Sequence, residues 1–91
     1  LPKVLLEAAS CGRAIIATDV PGCREIVHNG ENGMLVQLKN ANSLASAIKE
    51  LINNPEKRKI MGIKGRRLVE NEFSEEIVVS QTLKVYQELL V

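Results

Sequence analysis

The sequence comprises 91 residues with a formal net charge of +1, 45% of them hydrophobic and 25% charged. That length allows at most one domain with a modest core, and the composition excludes a disordered or fibrous chain. Only Phe73 and Tyr86 are aromatic and there is no Trp, so the stacking platforms of single-stranded nucleic acid binders are missing and no nucleic acid partner is expected.

Pro2 to Cys11 predicts a helix: good helix formers follow a Pro placed where the first turn has no use for its missing amide, and Gly12 stops the run. Ala14 to Thr18 (AIIAT) is short, apolar and partly β-branched, and is bounded by Gly12 and by the turn around Pro21 and Gly22, which predicts a buried strand. A short helix is expected from Gly22 to Val27. His28-Asn29-Gly30-Glu31-Asn32-Gly33 then places two Asn/Gly turn signals before a second strand, Met34 to Gln37.

Asn42 or Ser43 is positioned to cap the next helix, whose Leu44, Ile48, Leu51 and Ile52 recur at helical spacing. Asn53 and Asn54 end it. Pro55 opens a helix reaching about Glu72, amphipathic through Ile60, Met61, Leu68 and Val69, in which Gly62 and Gly65 each cost about 1 kcal/mol relative to Ala and set the place for a bend. Ser74 has Ile77, rather than Glu or Gln, three residues on, so it is a plain N-cap for a last helix. There Val79, Leu83, Tyr86 and Leu90 line an apolar face that calls for a partner, which makes self-association through this helix an expectation.

Alternating helices and strands imply parallel strands joined by crossovers, hence an α/β fold. Two strands are too few for a complete sheet of this kind. The expectation is therefore the helix-rich C-terminal part of a Rossmann-like, doubly wound domain, and the absence of an initiator Met fits a chain excised from something longer. No apolar run reaches the ~18 residues of a membrane span, and the N-terminus lacks the pattern of a signal peptide. Cys11 and Cys23 match neither a metal-ligand spacing nor a disulfide framework, so a reducing cytoplasm is the expected compartment. Lys57, Arg58, Lys59, Lys64, Arg66 and Arg67 concentrate positive charge; a solvated helix face accounts for them, and contact with an anionic membrane or lipid-linked acceptor is the alternative.

The chemistry concentrates in Leu1-Pro2-Lys3-Val4-Leu5-Leu6-Glu7-Ala8-Ala9-Ser10-Cys11-Gly12-Arg13. A helix N-terminus with unpaired amides suits an anion such as a diphosphate. A carboxylate one turn further on, Glu7, can accept hydrogen bonds from a ribose diol. Thr18-Asp19-Val20-Pro21-Gly22-Cys23-Arg24-Glu25 follows the C-terminal end of a strand, where open α/β sheets bind ligands, but Asp19 also reads as a turn former or helix cap. Cys23 at a helix start carries no sign of a nucleophile. His28 has no partners at metal spacing, and no metal or cofactor is expected.

The run LPKVLLEAASCGRAIIATDVPGCREIVHNGENGMLV, continued by NANSLASAIKELINNPEKRKIMGIKGRRLVENEFS, closely resembles the C-terminal domain of the group 1 glycosyltransferases. These are retaining enzymes with two Rossmann-like domains, the GT-B arrangement. The resemblance implies transfer of a sugar from a nucleoside-diphosphate donor, with a UDP-sugar expected. The acceptor, a saccharide or a lipid-linked one, would be held by an N-terminal domain that residues 1–91 do not contain.

In that family a Glu, seven residues and a second Glu line the donor site. Counting back from Glu7 puts the first Glu two positions before Leu1. By resemblance Glu7 holds the ribose hydroxyls, while the backbone amides of Lys3 and Val4 serve the diphosphate; Pro2 has no amide to give. Leu-Pro-Lys-Val-Leu-Leu-Glu with Val-Pro-Gly-Cys-Arg-Glu looks most like bacterial surface-polysaccharide enzymes, some with N-acetylated hexosamine donors. For this stretch alone the resemblance implies no catalysis; the expected location is cytoplasmic, with the inner face of the membrane as the alternative that the basic stretch leaves open. The competing readings are a non-catalytic α/β interaction module and an enzyme of related architecture, such as a nucleotide-sugar epimerase or a phosphorylase.

Overall fold

The computed structural model describes residues 3–73. Pro2, Ser74 and the final helix expected to carry Val79, Leu83, Tyr86 and Leu90 lie outside the described residues. Six elements follow in order: α1 (Lys3–Ser10), β1 (Ile15–Thr18), α2 (Pro21–Arg24), β2 (Gly33–Val36), α3 (Ala41–Ile52) and α4 (Pro55–Glu72). This is the expected alternation, and most bounds fall within a residue or two of the expected ones.

Helix α1 ends where Gly12 enters the left-handed region at φ 70°. The Gly12 amide donates to the Ala9 carbonyl and the Arg13 amide to the Ala8 carbonyl, at 3.0 and 3.1 Å, the pair of bonds by which a C-terminal glycine satisfies the last carbonyls of a helix. The chain then doubles back into β1. β1 and β2 pair in parallel with Ile15 opposite Gly33 and Thr18 opposite Val36, and the Asp19 amide extends the pairing to the Val36 carbonyl at 2.8 Å.

The core lies on one face of this sheet. Leu6 and Ala9 of α1, Ile15 and Ala17 of β1, Ile26 and Val27 after α2, and Val69 of α4 form one buried cluster. The alternation of β1 sends Ile15 and Ala17 into that cluster and leaves Ile16 and Thr18 half-buried toward the other face, as a two-residue period requires.

Four sequence expectations need correction. Gly33 is not a turn residue. It opens β2, and a Cβ there would run into the Ile15 carbonyl of the neighbouring strand and the Val27 side chain, so glycine is required by close approach rather than by turn conformation. The cap of α3 is Asn40, whose Oδ1 accepts from the Ser43 amide at 2.9 Å, and neither Asn42 nor Ser43 caps it.

Gly62 and Gly65 are contact points rather than weak points in α4. The helix is continuous through both, and a Cβ on Gly62 would lie 2.8 Å from the Gly12 carbonyl carbon, while one on Gly65 would meet the Asn32 Cβ at 3.2 Å. Gly62 lets α4 approach the backbone at the end of α1, and Gly65 leaves room for the Asn32 side chain of the loop before β2. The buried face of α4 is accordingly Met61, Gly62, Gly65 and Val69, with Leu68 half-buried and Ile60 outside it. Finally, the apolar row of α3 buries only Leu51, together with Ala47; Leu44, Ile48 and Ile52 are exposed.

Candidate functional site

The turn at Gly12 reverses the chain between α1 and β1, and Leu6 and Ala9 pack in one cluster with Ile15 and Ala17; in an α/β unit such a connection directs the N-terminal end of the helix toward the C-terminal end of the strand. That end of an open α/β sheet is where ligands are held. Leu6 and Ala9 anchor α1 by its inner face, whereas Lys3, Val4 and Glu7 are exposed. Lys3 and Glu7 stand one turn apart and share a face. The structure thus brings the three sequence-selected residues together at one end of one helix. The first amides of any helix have no acceptor within it, and the macrodipole adds partial positive charge at that end.

The loop after β1 is held by an ion pair. Arg24 Nε donates to Asp19 Oδ1 at 2.5 Å, with both side chains about half exposed. Asp19 is therefore neither the cap of α2, which is Val20 without a side-chain bond, nor solely a turn former; its carboxylate ties the start of the loop to the end of α2. Cys23 packs against the core cluster while Cys11 is exposed. His28 Nδ1 lies 3.4 Å from Glu31 Oε2, and its amide donates to Asn32, so its role is structural. No group of His, Cys, Asp and Glu among the described residues could hold a metal ion.

Asn32 is the polar residue that sequence reasoning missed. It is only 2% exposed. Its Oδ1 accepts from the His28 amide and its Nδ2 donates to the Ile26 carbonyl, both at 2.7 Å. Asn29 does related work, accepting from the Leu35 amide at 2.9 Å. The two Asn side chains replace backbone partners that the loop between α2 and β2 cannot supply. Two asparagines three apart, each followed by Gly, were the available signal, but the same pair marks an ordinary turn.

Half of the six basic residues of this stretch of α4 have specific intramolecular partners. Lys57 pairs with Glu50 at 3.2 Å and Arg66 with Glu70 at 2.8 Å, and Arg58 donates to the Leu51 and Ile52 carbonyls, closing the C-terminal end of α3. The hydrogen bond to Glu70 and its charge hold the Arg66 guanidinium above its ordinary pKa. This supports the solvated-face reading of the stretch. No described helix is long and apolar enough to cross a membrane.

Two clefts lie on the sheet face away from α1. One, of about 430 Å³, sits beyond the C-terminal ends of both strands and is lined by Thr18, Val36, Gln37, Lys39, Asn40 and Leu44 among others. The other, of about 660 Å³, runs between α3, α4 and β1. Neither lining includes Lys3, Val4 or Glu7.

Residues 1–68 match the protein family described as Glycosyl transferases group 1. The uncharacterized glycosyltransferase MJ1178 of Methanocaldococcus jannaschii is 44% identical over 86 residues, covering 94% of this chain and 24% of that protein. The capsular polysaccharide biosynthesis glycosyltransferase CapM of Staphylococcus aureus is 34% identical over 88 residues, 97% of this chain and 23% of its own length. Among solved structures, the sucrose-phosphate synthase of Thermosynechococcus elongatus superposes with a TM-score of 0.81 at 33% identity, over 99% of this chain and 23% of that one. The chain thus spans about a quarter of the length of the relatives it matches.

Proposed function

The chain belongs to the group 1 glycosyl transferases, and from that premise we propose that it forms part of the nucleotide-sugar donor site of a retaining transferase. The observation that carries this reading is the position of Glu7: exposed, one turn into α1, the helix that feeds β1 through the Gly12 turn. The donor is a nucleoside-diphosphate sugar, with UDP as the nucleotide. The sugar is an N-acetylated hexosamine and the acceptor a saccharide or lipid-linked glycan of a polysaccharide pathway. The similarity to CapM, a capsular polysaccharide biosynthesis glycosyltransferase, supports that acceptor class.

In this reading the Glu7 carboxylate accepts hydrogen bonds from the ribose hydroxyls, and the amides of Lys3 and Val4 donate to the diphosphate. The chemistry asked of α1 is electrostatic: negative charge grows on the diphosphate as the sugar departs, and preorganised amides at a helix N-terminus stabilise it without having to reorient. No side chain of this segment acts as a nucleophile. A separate N-terminal domain binds the acceptor, and residues 1–91 alone do not turn over substrate.

The test is Glu7→Ala in the whole protein. Hydrogen bonds to a charged group are each worth roughly 1.5 to 3 kcal/mol, so kcat/KM for the donor falls by on the order of ten- to a hundredfold. Acceptor KM stays the same. Donor kinetics untouched by the substitution contradict the ribose role.

A further inference from the structure

β2 has one edge against β1 and another facing away from it, and among the described residues no strand pairs with the outer edge. The Asp19 amide donates to the Val36 carbonyl, so Val36 and, two residues back, Met34 turn their backbone groups toward β1. Gly33 and Leu35 therefore turn theirs outward. A row of outward N–H and C=O groups is a template on which another chain can add a strand. Gly33-Met34-Leu35-Val36 holds neither a charged side chain nor a Pro, two common deterrents to such pairing.

The deterrent comes from the preceding loop. The Gly30 amide donates to the Gly33 carbonyl and the Leu35 amide donates to Asn29 Oδ1, each at 2.9 Å. Asn29 forms a single parallel bridge with Gly33, and the chain leaves the edge at once because Gly30 takes up φ 84°. A Cβ on Gly30 would stand in open space, so glycine is required there by conformation rather than by close approach. At Leu35 the acceptor is a side-chain amide, which fills the donor yet offers no next residue in register. The edge is satisfied without being extended. Asn32 holds this cover in place, since it accepts from the amide of His28, the residue before Asn29, and donates to the Ile26 carbonyl.

We infer that Asn29 and Gly30 guard the outer edge of β2 against strand addition, and that the chain they exclude is a second copy of this one. A second copy presents the same edge, and antiparallel pairing of β2 with β2 about a two-fold axis gives both copies the same bonds. It is also the strand donor present wherever this protein is concentrated. Asn29 is exposed and lies outside the buried cluster, so its hydrogen bond to the edge is what its side chain contributes. The inference does not depend on the role of Glu7.

The whole protein and its Asn29→Ala variant are compared by sedimentation equilibrium over a range of concentrations and by hydrogen exchange read residue by residue. In the dilute variant the Leu35 amide is expected to exchange on the order of tenfold faster than in the unsubstituted protein, because one intramolecular hydrogen bond is lost. As concentration rises the variant gains mass relative to the unsubstituted protein, and the Leu35 amide regains protection in step with it. Asn29→Asp, which keeps an oxygen acceptor in the same place, retains the protection and the mass of the unsubstituted protein. An alanine variant with unchanged mass at every concentration overturns the inference. So does association that leaves the Leu35 amide open to exchange, since the contact then lies elsewhere. Where the alanine variant does not fold, the unsubstituted protein decides: slow exchange at Leu35 supports the guard and fast exchange overturns it.

Discussion

The two faces of the small sheet are built to different standards. On the α1 side Leu6, Ala9, Ile26, Val27 and Val69 are at most 1% exposed, and α4 approaches closely enough that a Cβ would collide with backbone at position 62 and press on the Asn32 side chain at position 65. On the α3 side a helix with an equally clear apolar row leaves Leu44, Ile48 and Ile52 between 41% and 64% exposed. The difference teaches that amphipathicity fixes which residues share a face, whereas burial depends on whether a partner is present. Among the described residues the first face is closely packed; the second has a cleft.

Gly62→Ala is the strongest way to break the finished face. The new methyl collides with the Gly12 carbonyl in rigid backbone, so a net loss of about 2 to 3 kcal/mol is expected from overpacking, even though Ala favours the helix by about 1 kcal/mol. A shift in the denaturant midpoint at constant slope reads it. A neutral or stabilising outcome means that α1 and α4 are less closely held than the contact implies.

Asn32→Ala attacks the same face through its polar content. It leaves the His28 amide and Ile26 carbonyl without their partners at a nearly fully buried position, at an expected cost of about 2 kcal/mol. Faster hydrogen exchange at the His28 amide locates the damage.

Lys39→Gly sharpens the comparison from the other side. Lys39 is the one non-glycine residue with positive φ among those described, at 56°, in the turn before the Asn40 cap. Glycine relieves a strain of about 1 to 2 kcal/mol and forfeits part of it to unfolded-chain entropy, for a net gain of roughly 0.5 kcal/mol. A higher melting temperature is the expected reading.

Much of the fold was legible because local rules decided it. Gly12 was recognisable as the stop of α1, Pro55 as the start of α4, and the AIIAT run as a strand. Long-range proximity was not legible. A glycine within a helix pattern reads as a cost until the neighbouring backbone is seen, which is why Gly62 and Gly65 looked like a bend, and Gly33 after Asn32 looked like a turn. The cap of α3 was misplaced by two or three residues because Asn40, Asn42 and Ser43 are all competent caps and only the path of the preceding strand selects one. At the candidate site, Glu7 was picked out by its place in a run that resembles a known family. Asn32 could not, since burial rather than residue type makes it important.

The central claim, that Glu7 grips the ribose of a nucleotide donor, is tested most directly by pairing a change in the protein with a change in the ligand. Calorimetric titration of the whole protein and its Glu7→Ala variant with UDP and with 2′,3′-dideoxy-UDP gives a four-way cycle. If the carboxylate and the diol are partners, removing either weakens binding by on the order of tenfold or more, and removing both costs no more than removing one. Losses that simply add would contradict the account and place Glu7 outside the ribose site.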